Sequence, residues 1–175
     1  LDIDVFHLIL HSNQYSNFDS EKLYNDYLSK VPQKLMLENW SGVFDGITKT
    51  NKLNRIIQSS KESHIIMADV DEFQEWKIPL KESGDLVWGI LRDRESTDMK
   101  LNPVTEDSIF DQFPLITKKT WWPNLYKPCL FPSSDLLKDP HRLKININPE
   151  KGIINIDHFR WIEGRLEKMI ERKSN

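Results

Sequence analysis

A chain of 175 residues that is 38% apolar and 29% charged, with six Trp and eight Phe, carries enough apolar mass to close a core and does not have the composition of a disordered polymer. Its net charge of −3, with the cations scattered, excludes a broad basic face for nucleic acid but leaves local basic positions that suit a phosphate group. One cysteine, Cys129, excludes an internal disulfide and reads as a small buried hydrophobe. No apolar run approaches the roughly 20 residues that span a bilayer, so a single cytoplasmic domain over 1–175 without a transmembrane segment is expected.

Val5–Leu10 reads as a strand followed by a polar turn, and Asp19 or Ser20 stands where a cap belongs for a helix over Glu21–Lys30, with Leu23, Tyr27 and Leu28 inward. Lys34–Glu38 is a second short strand, and Ile47–Ser60 places Ile47, Leu53, Ile56 and Ile57 near helical spacing. Ile65, Ile66, Met67 and Ala68 form a continuous apolar run, the pattern of a strand buried on both faces, and it leads straight into Asp69, Asp71 and Glu72. The alternation of strands and helices predicts an α/β domain with a mostly parallel central sheet flanked by helices. In such sheets ligands lie beyond the carboxyl ends of strands, where Asp69 and Asp71 are expected.

Leu86–Leu91 is another buried strand and delivers Arg92, Asp93 and Arg94. From Glu95 to Pro140 the chain carries six of its nine prolines, which predicts irregular loops around a short amphipathic piece at Ile109–Phe113. Arg142–Asn148 alternates and turns through Asn148–Gly152 into Ile153–Asp157, a hairpin pattern. His158-Phe159-Arg160-Trp161 follows. Ile162–Arg172 closes the chain as a helix with Ile162, Leu166, Met169 and Ile170 on one stripe.

The Asp-x-Asp spacing by itself carries little. With 15 Asp in the chain, chance supplies about one such triplet, and the second, Asp2-Ile3-Asp4, has no apolar run before it. Position at a strand end distinguishes the first. Carboxylate oxygens there suit a hard divalent cation, which acts as a Lewis acid toward the charge on a departing diphosphate.

Taken together, Asp69-Val70-Asp71-Glu72-Phe73, Gly89-Ile90-Leu91-Arg92-Asp93-Arg94, Gln112-Phe113-Pro114-Leu115, Lys127 and His158-Phe159-Arg160-Trp161 resemble the blocks of family-2-like nucleotide-sugar glycosyltransferases with the GT-A fold, bacterial or viral. The resemblance runs from about Asn54 to Trp161. It implies a single GT-A-like, Rossmann-like domain, here without the family's first strand and helix. The implied reaction moves a sugar from a UDP- or GDP-sugar to a glycan or other hydroxyl acceptor with Mn²⁺ or Mg²⁺, inversion being part of that expectation. Metal ligands would be Asp69, Asp71 and His158, with Asp69 acting through water or on the ribose, and Asn54, Asp69, Arg94 and Lys127 would contact the donor. Glu72 divides between orienting the site and a solvated charge. Inversion needs a base for the acceptor hydroxyl, for which Asp93, between two arginines, is the first choice and Asp111 the reserve. Trp121, Trp122 and Trp161 read as core before they read as sugar platforms.

Two rival readings stand beside this one. Phosphatases of the haloacid dehalogenase type also place Asp-x-Asp after an apolar strand, but normally with Thr or Val two residues after the second Asp, where this chain has Phe73. The other rival is an inactive or purely binding module.

Overall fold

A computed structural model of the chain describes residues 3, 5–12, 22, 25, 28–30, 34–42, 44–69, 71–76, 86–118, 126–144 and 152–159. The expected closing helix Ile162–Arg172, Trp121, Trp122, Trp161 and half of the expected helix Glu21–Lys30, including Leu23 and Tyr27, lie outside them. The chain divides into two compact units, Leu1–Ile56 and Ile57–Asn175.

In the first unit, β1 (Val5–Ser12) and β2 (Lys34–Ser41) pair in parallel, with Val5 opposite Lys34 and Ser12 opposite Ser41. Between them Leu28–Lys30 forms a single 3-10 turn. Helix α1 (Gly46–Ser59) starts where Asp45 Oδ1 accepts the backbone N–H of Thr48 at 2.8 Å, the bond expected of an N-cap. Glu38 on β2 takes hydrogen bonds from both Lys52 and Arg55 of this helix. Those bonds hold its carboxyl below the usual carboxylate range.

The second unit is organised by a six-stranded sheet. Its strands are β3 (His64–Ile66), β4 (Glu72–Glu75), β5 (Val87–Glu95), β6 (Leu115–Lys118), β7 (Tyr126–Pro132) and β10 (Ile153–His158). The order across the sheet is β3-β7-β5-β10-β4, and β6 pairs with β5 beyond the point where β7 leaves it. A short helix, α2 (Ile109–Gln112), precedes β6, and β8 (Leu137–Asp139) and β9 (Arg142–Leu143) make a small antiparallel pair.

This corrects the expected architecture. Among the described residues 47% are strand and 20% helix, and the sheet is mixed and curled rather than mostly parallel and flanked by helices. Within it only β5 and β10 run parallel, and the other described ladders are antiparallel. The proline-rich stretch expected to be loops contains β7, a central strand carrying Pro128 and Pro132. Proline cannot donate to a ladder. The β5–β7 register shifts between Val87 and Trp88, beside the Trp88–Pro128 pair, so an irregular ladder accommodates the missing donor. Of the expected hairpin of Arg142–Asn148 with Ile153–Asp157, Arg142–Leu143 pair with β8, and 145–148 and the turn up to 151 lie outside the described residues. β10 pairs with β5 along Ile153–His158 on one side and with β4 along Asn155–His158 on the other.

Strand alternation sorts the side chains of the sheet onto two faces. One face holds Val87, Leu91, Cys129, Ile154 and Ile156, all buried in one apolar cluster. Gly89 lies in that row because a Cβ there would fall within 2.6 Å of Cys129 Sγ and closer still to the side chain of Ile156. Burial pushes the Cys129 thiol up to about 12, so it packs as an inert hydrophobe. Toward the C-terminal ends of β5 and β10 this face changes from apolar to charged.

Candidate functional site

The charged end of that face is built from three strands. His158 closes β10 opposite Asp93 of β5 in the parallel ladder and opposite Glu72 of β4 in the antiparallel one. Register partners share a face, so the imidazole is delivered between carboxylates. Its Nδ1 lies 3.0 Å from Asp93 Oδ1 and its Nε2 lies 3.3 Å from Asp71 Oδ2. Asp71 sits in the turn just before β4, and its carbonyl accepts the backbone N–H of Phe159 at 2.8 Å. That bond ties the turn to the end of β10 and sets the spacing of Asp71 and His158 through the main chain.

Exposure divides the three groups. The Asp93 side chain is 2% exposed and that of His158 17%, whereas the Asp71 side chain is 40% exposed. Burial pulls the His158 ring toward its neutral form, but hydrogen bonds and charge from Asp71 and Asp93 outweigh it and raise its pKa above 6.5. Asp71 shows the reciprocal effect: partial burial pushes its carboxyl up, and the hydrogen bond and charge of His158 more than reverse this, leaving it below 3.8.

Asp69 belongs to an adjoining cluster. Lys127 of β7 reaches Asp69 Oδ2 at 2.9 Å and the two carboxylate oxygens of Glu72 at 2.8 and 2.7 Å. The ammonium is 1% exposed. Burial disfavours its charge, but the two carboxylates reverse that and raise its pKa above 10.5. Glu72 Oε2 also accepts the N–H of Asp69, and the N–H of Glu72 donates to the Asp69 carbonyl, so the acidic turn is closed from both sides. The buried Lys127–Glu72 pair therefore fixes the shape of the turn that presents Asp71. Glu72 is not a solvated charge, and Lys127 is too enclosed to meet a diphosphate.

Arg94 lies on the opposite face. Strand alternation sends Arg92 and Arg94 one way and Asp93 the other, so the arginines do not flank the Asp93 carboxylate. Both guanidiniums bind Asp157 of β10, Arg92 at 3.1 and 2.9 Å and Arg94 at 2.9 and 3.2 Å. Arg94 also donates to the Pro114 carbonyl, and its guanidinium carbon lies 5.3 Å from the centre of the Phe110 ring. Asp157 was not singled out by the sequence reading. Its signal is the alternation of β10, which sets Asp157 on the face opposite Ile154, Ile156 and His158.

Of the residues expected to form the site, Asp71, Asp93 and His158 come together, and Asp69 stands beside them bound to Lys127. Arg94 is held by Asp157, and Asn54 lies on α1 in the Leu1–Ile56 unit. Asp111, the reserve base, is exposed on α2. Among the described residues no three His, Cys, Asp or Glu side chains converge as a self-sufficient metal cage. Asp71 and His158 offer two outward donors, an oxygen and a nitrogen. That number fits a cation completed by water and substrate phosphates, the usual habit of Mg²⁺ at phosphate sites, and the nitrogen tilts the choice toward Mn²⁺. Among the described residues no helix is long and apolar enough to cross a membrane. No protein-family model matches the sequence, and no curated protein matches it.

Proposed function

We propose that this protein is a metal-dependent glycosyltransferase that moves a sugar from a UDP- or GDP-sugar to a hydroxyl acceptor in glycan synthesis. The reading rests on residues and not on architecture, since the helix-flanked sheet first expected is not present. One observation carries it: Asp71 and His158, far apart in the chain, meet at 3.3 Å at the strand ends with Asp93 behind the ring. Asp71 Oδ2 and His158 Nε2 would hold Mn²⁺ or Mg²⁺, which supplies Lewis-acid stabilisation for the charge on the leaving diphosphate. Asp69, pinned by Lys127, takes the neighbouring place for a water-mediated or ribose contact. The Lys127–Glu72 pair keeps the acidic turn in one shape, so that little reorganisation is needed when the donor arrives.

The test is thermal stabilisation by UDP or GDP with and without Mn²⁺, followed by turnover of nucleotide sugars. Stabilisation that needs both metal and nucleotide is expected. Asp71→Ala should abolish it while the fold survives, and turnover should fall on the order of 10²–10³-fold, as when a major electrostatic stabiliser is removed. Unchanged turnover in that variant defeats the assignment. Hydrolysis of an aryl phosphate with Mg²⁺ in its place identifies a phosphatase, and no response to either identifies a binding module.

A further inference from the structure

We propose that Asp93 is not the acceptor's base but a positioning residue that fixes the ring of His158 and its tautomer, so that Nε2 is the nitrogen presented beside Asp71. The inference rests on the metal-binding reading of Asp71 and His158, and it assigns to Asp93 a task within that site.

Position argues first. A base must touch the hydroxyl it deprotonates, directly or through one water. Asp93 is 1% exposed and sits on β5 beneath the imidazole, with its Oδ1 on Nδ1 and the ring between it and the exposed Asp71. An acceptor cannot come to it without displacing His158.

The hydrogen bond argues second. Both ring nitrogens face carboxylates, which only accept when ionised, but the Asp93 contact is the shorter, 3.0 against 3.3 Å, and Asp93 is buried where Asp71 is open to solvent, so the neutral ring keeps its proton on the nitrogen facing Asp93. In the neutral ring this leaves the lone pair on Nε2, the nitrogen aimed at Asp71 and thus at the cation. A carboxylate behind a ligating histidine is the usual means of setting tautomer, orientation and basicity together. The main chain reinforces it. Parallel pairing of β5 with β10 sets Asp93 opposite His158, and the Phe159 N–H to Asp71 carbonyl bond fixes the other side. Carboxylate, ring and outer carboxylate are therefore lined up before any ligand arrives.

The decisive measurement is the tautomer of His158, read from ¹⁵N shifts of the histidine-labelled protein in chelator at alkaline pH, with His158→Gln identifying the signal. A proton on Nδ1 is expected in the native protein. A proton on Nε2, or rapid averaging between the two nitrogens, overturns the inference without need of any Asp93 variant. In Asp93→Asn the side-chain amide can donate to Nδ1, so the proton should move to Nε2. Mn²⁺ affinity, measured by electron paramagnetic resonance, should then fall about 10- to 100-fold. Retention of the Nδ1 proton together with native Mn²⁺ affinity in that variant also overturns it. If the native protein binds no Mn²⁺ yet shows the Nδ1 proton and its loss in Asp93→Asn, the positioning role stands while the glycosyltransferase reading falls.

Discussion

The two faces of the sheet at the ends of β5 and β10 carry charge in opposite ways. On one face Asp157 is saturated by the guanidiniums of Arg92 and Arg94, with Arg92 also 3.5 Å from Glu75 and Arg94 above Phe110. Guanidinium does not give up its proton in this setting, and its fork of bonds to carboxylate is directional. That cluster is closed. On the other face the group between Asp71 and Asp93 is an imidazole, whose pKa the two carboxylates raise and which can still lose the Nε2 proton and offer a lone pair in its place. Its outer carboxylate is the exposed one. The same two strands thus supply a staple on one side and a site on the other, and the difference lies in whether the central group can give up its proton.

Three further experiments press on that contrast. The largest effect is expected at the base of the site. Lys127→Met leaves Glu72 and Asp69 without their cation, and removing one member of a buried pair of this kind costs about 3–5 kcal/mol, read from urea unfolding. A loss below 1 kcal/mol would mean that the acidic turn does not depend on Lys127 for its shape. Next comes the closed cluster. Asp157→Ala strands two guanidiniums that retain some contact with solvent, so a somewhat smaller loss of about 2–3 kcal/mol is expected. Mn²⁺ affinity should stay within about twofold of native, because Asp157 faces away from Asp71 and His158. A large drop in affinity without loss of stability would reverse the roles given to the two faces.

The smallest effect is the most specific. The His158 pKa is raised on folding, so the stabilisation it brings is complete below 6.5 and is lost as pH climbs through the folded value. In chelator, the unfolding free energy should decline over that window, and His158→Gln should remove the decline. Asp157→Ala should leave it in place, since Arg92 and Arg94 stay charged throughout. An unaltered pH dependence in His158→Gln would show that the imidazolium is not held by its two carboxylates.

Much of this was legible locally. Val5–Leu10 and Lys34–Glu38 are apolar or alternating runs that appear within strands, Leu86–Leu91 does so from Val87 on, and Ile47–Ser60 nearly coincides with α1. The short apolar run before Asp69 is partly strand, with β3 ending at Ile66. His158 is a candidate only through the resemblance of its block, His158-Phe159-Arg160-Trp161, and it closes β10. Arg92–Arg94 misled because β5 continues to Glu95: in a strand, neighbours in sequence point to opposite faces, so the arginines that seemed to flank Asp93 serve Asp157 instead. Lys127 reads as an exposed cation until β7 is recognised, and β7 is hidden by its two prolines.

Local patterning by itself determined where β1, β2, α1 and β5 form, and that an acidic turn follows an apolar run, because side-chain periodicity and turn chemistry act over a few residues. Only the tertiary structure decided that β10 lies between β5 and β4, that the sheet is mixed, and that Asp71, Asp93 and His158 meet while Asp69 binds Lys127. Strand order and register are choices among distant partners. They are settled by the burial of Val87, Leu91, Cys129 and Ile156 against one another, and a linear pattern does not specify which strand supplies the other half of a core.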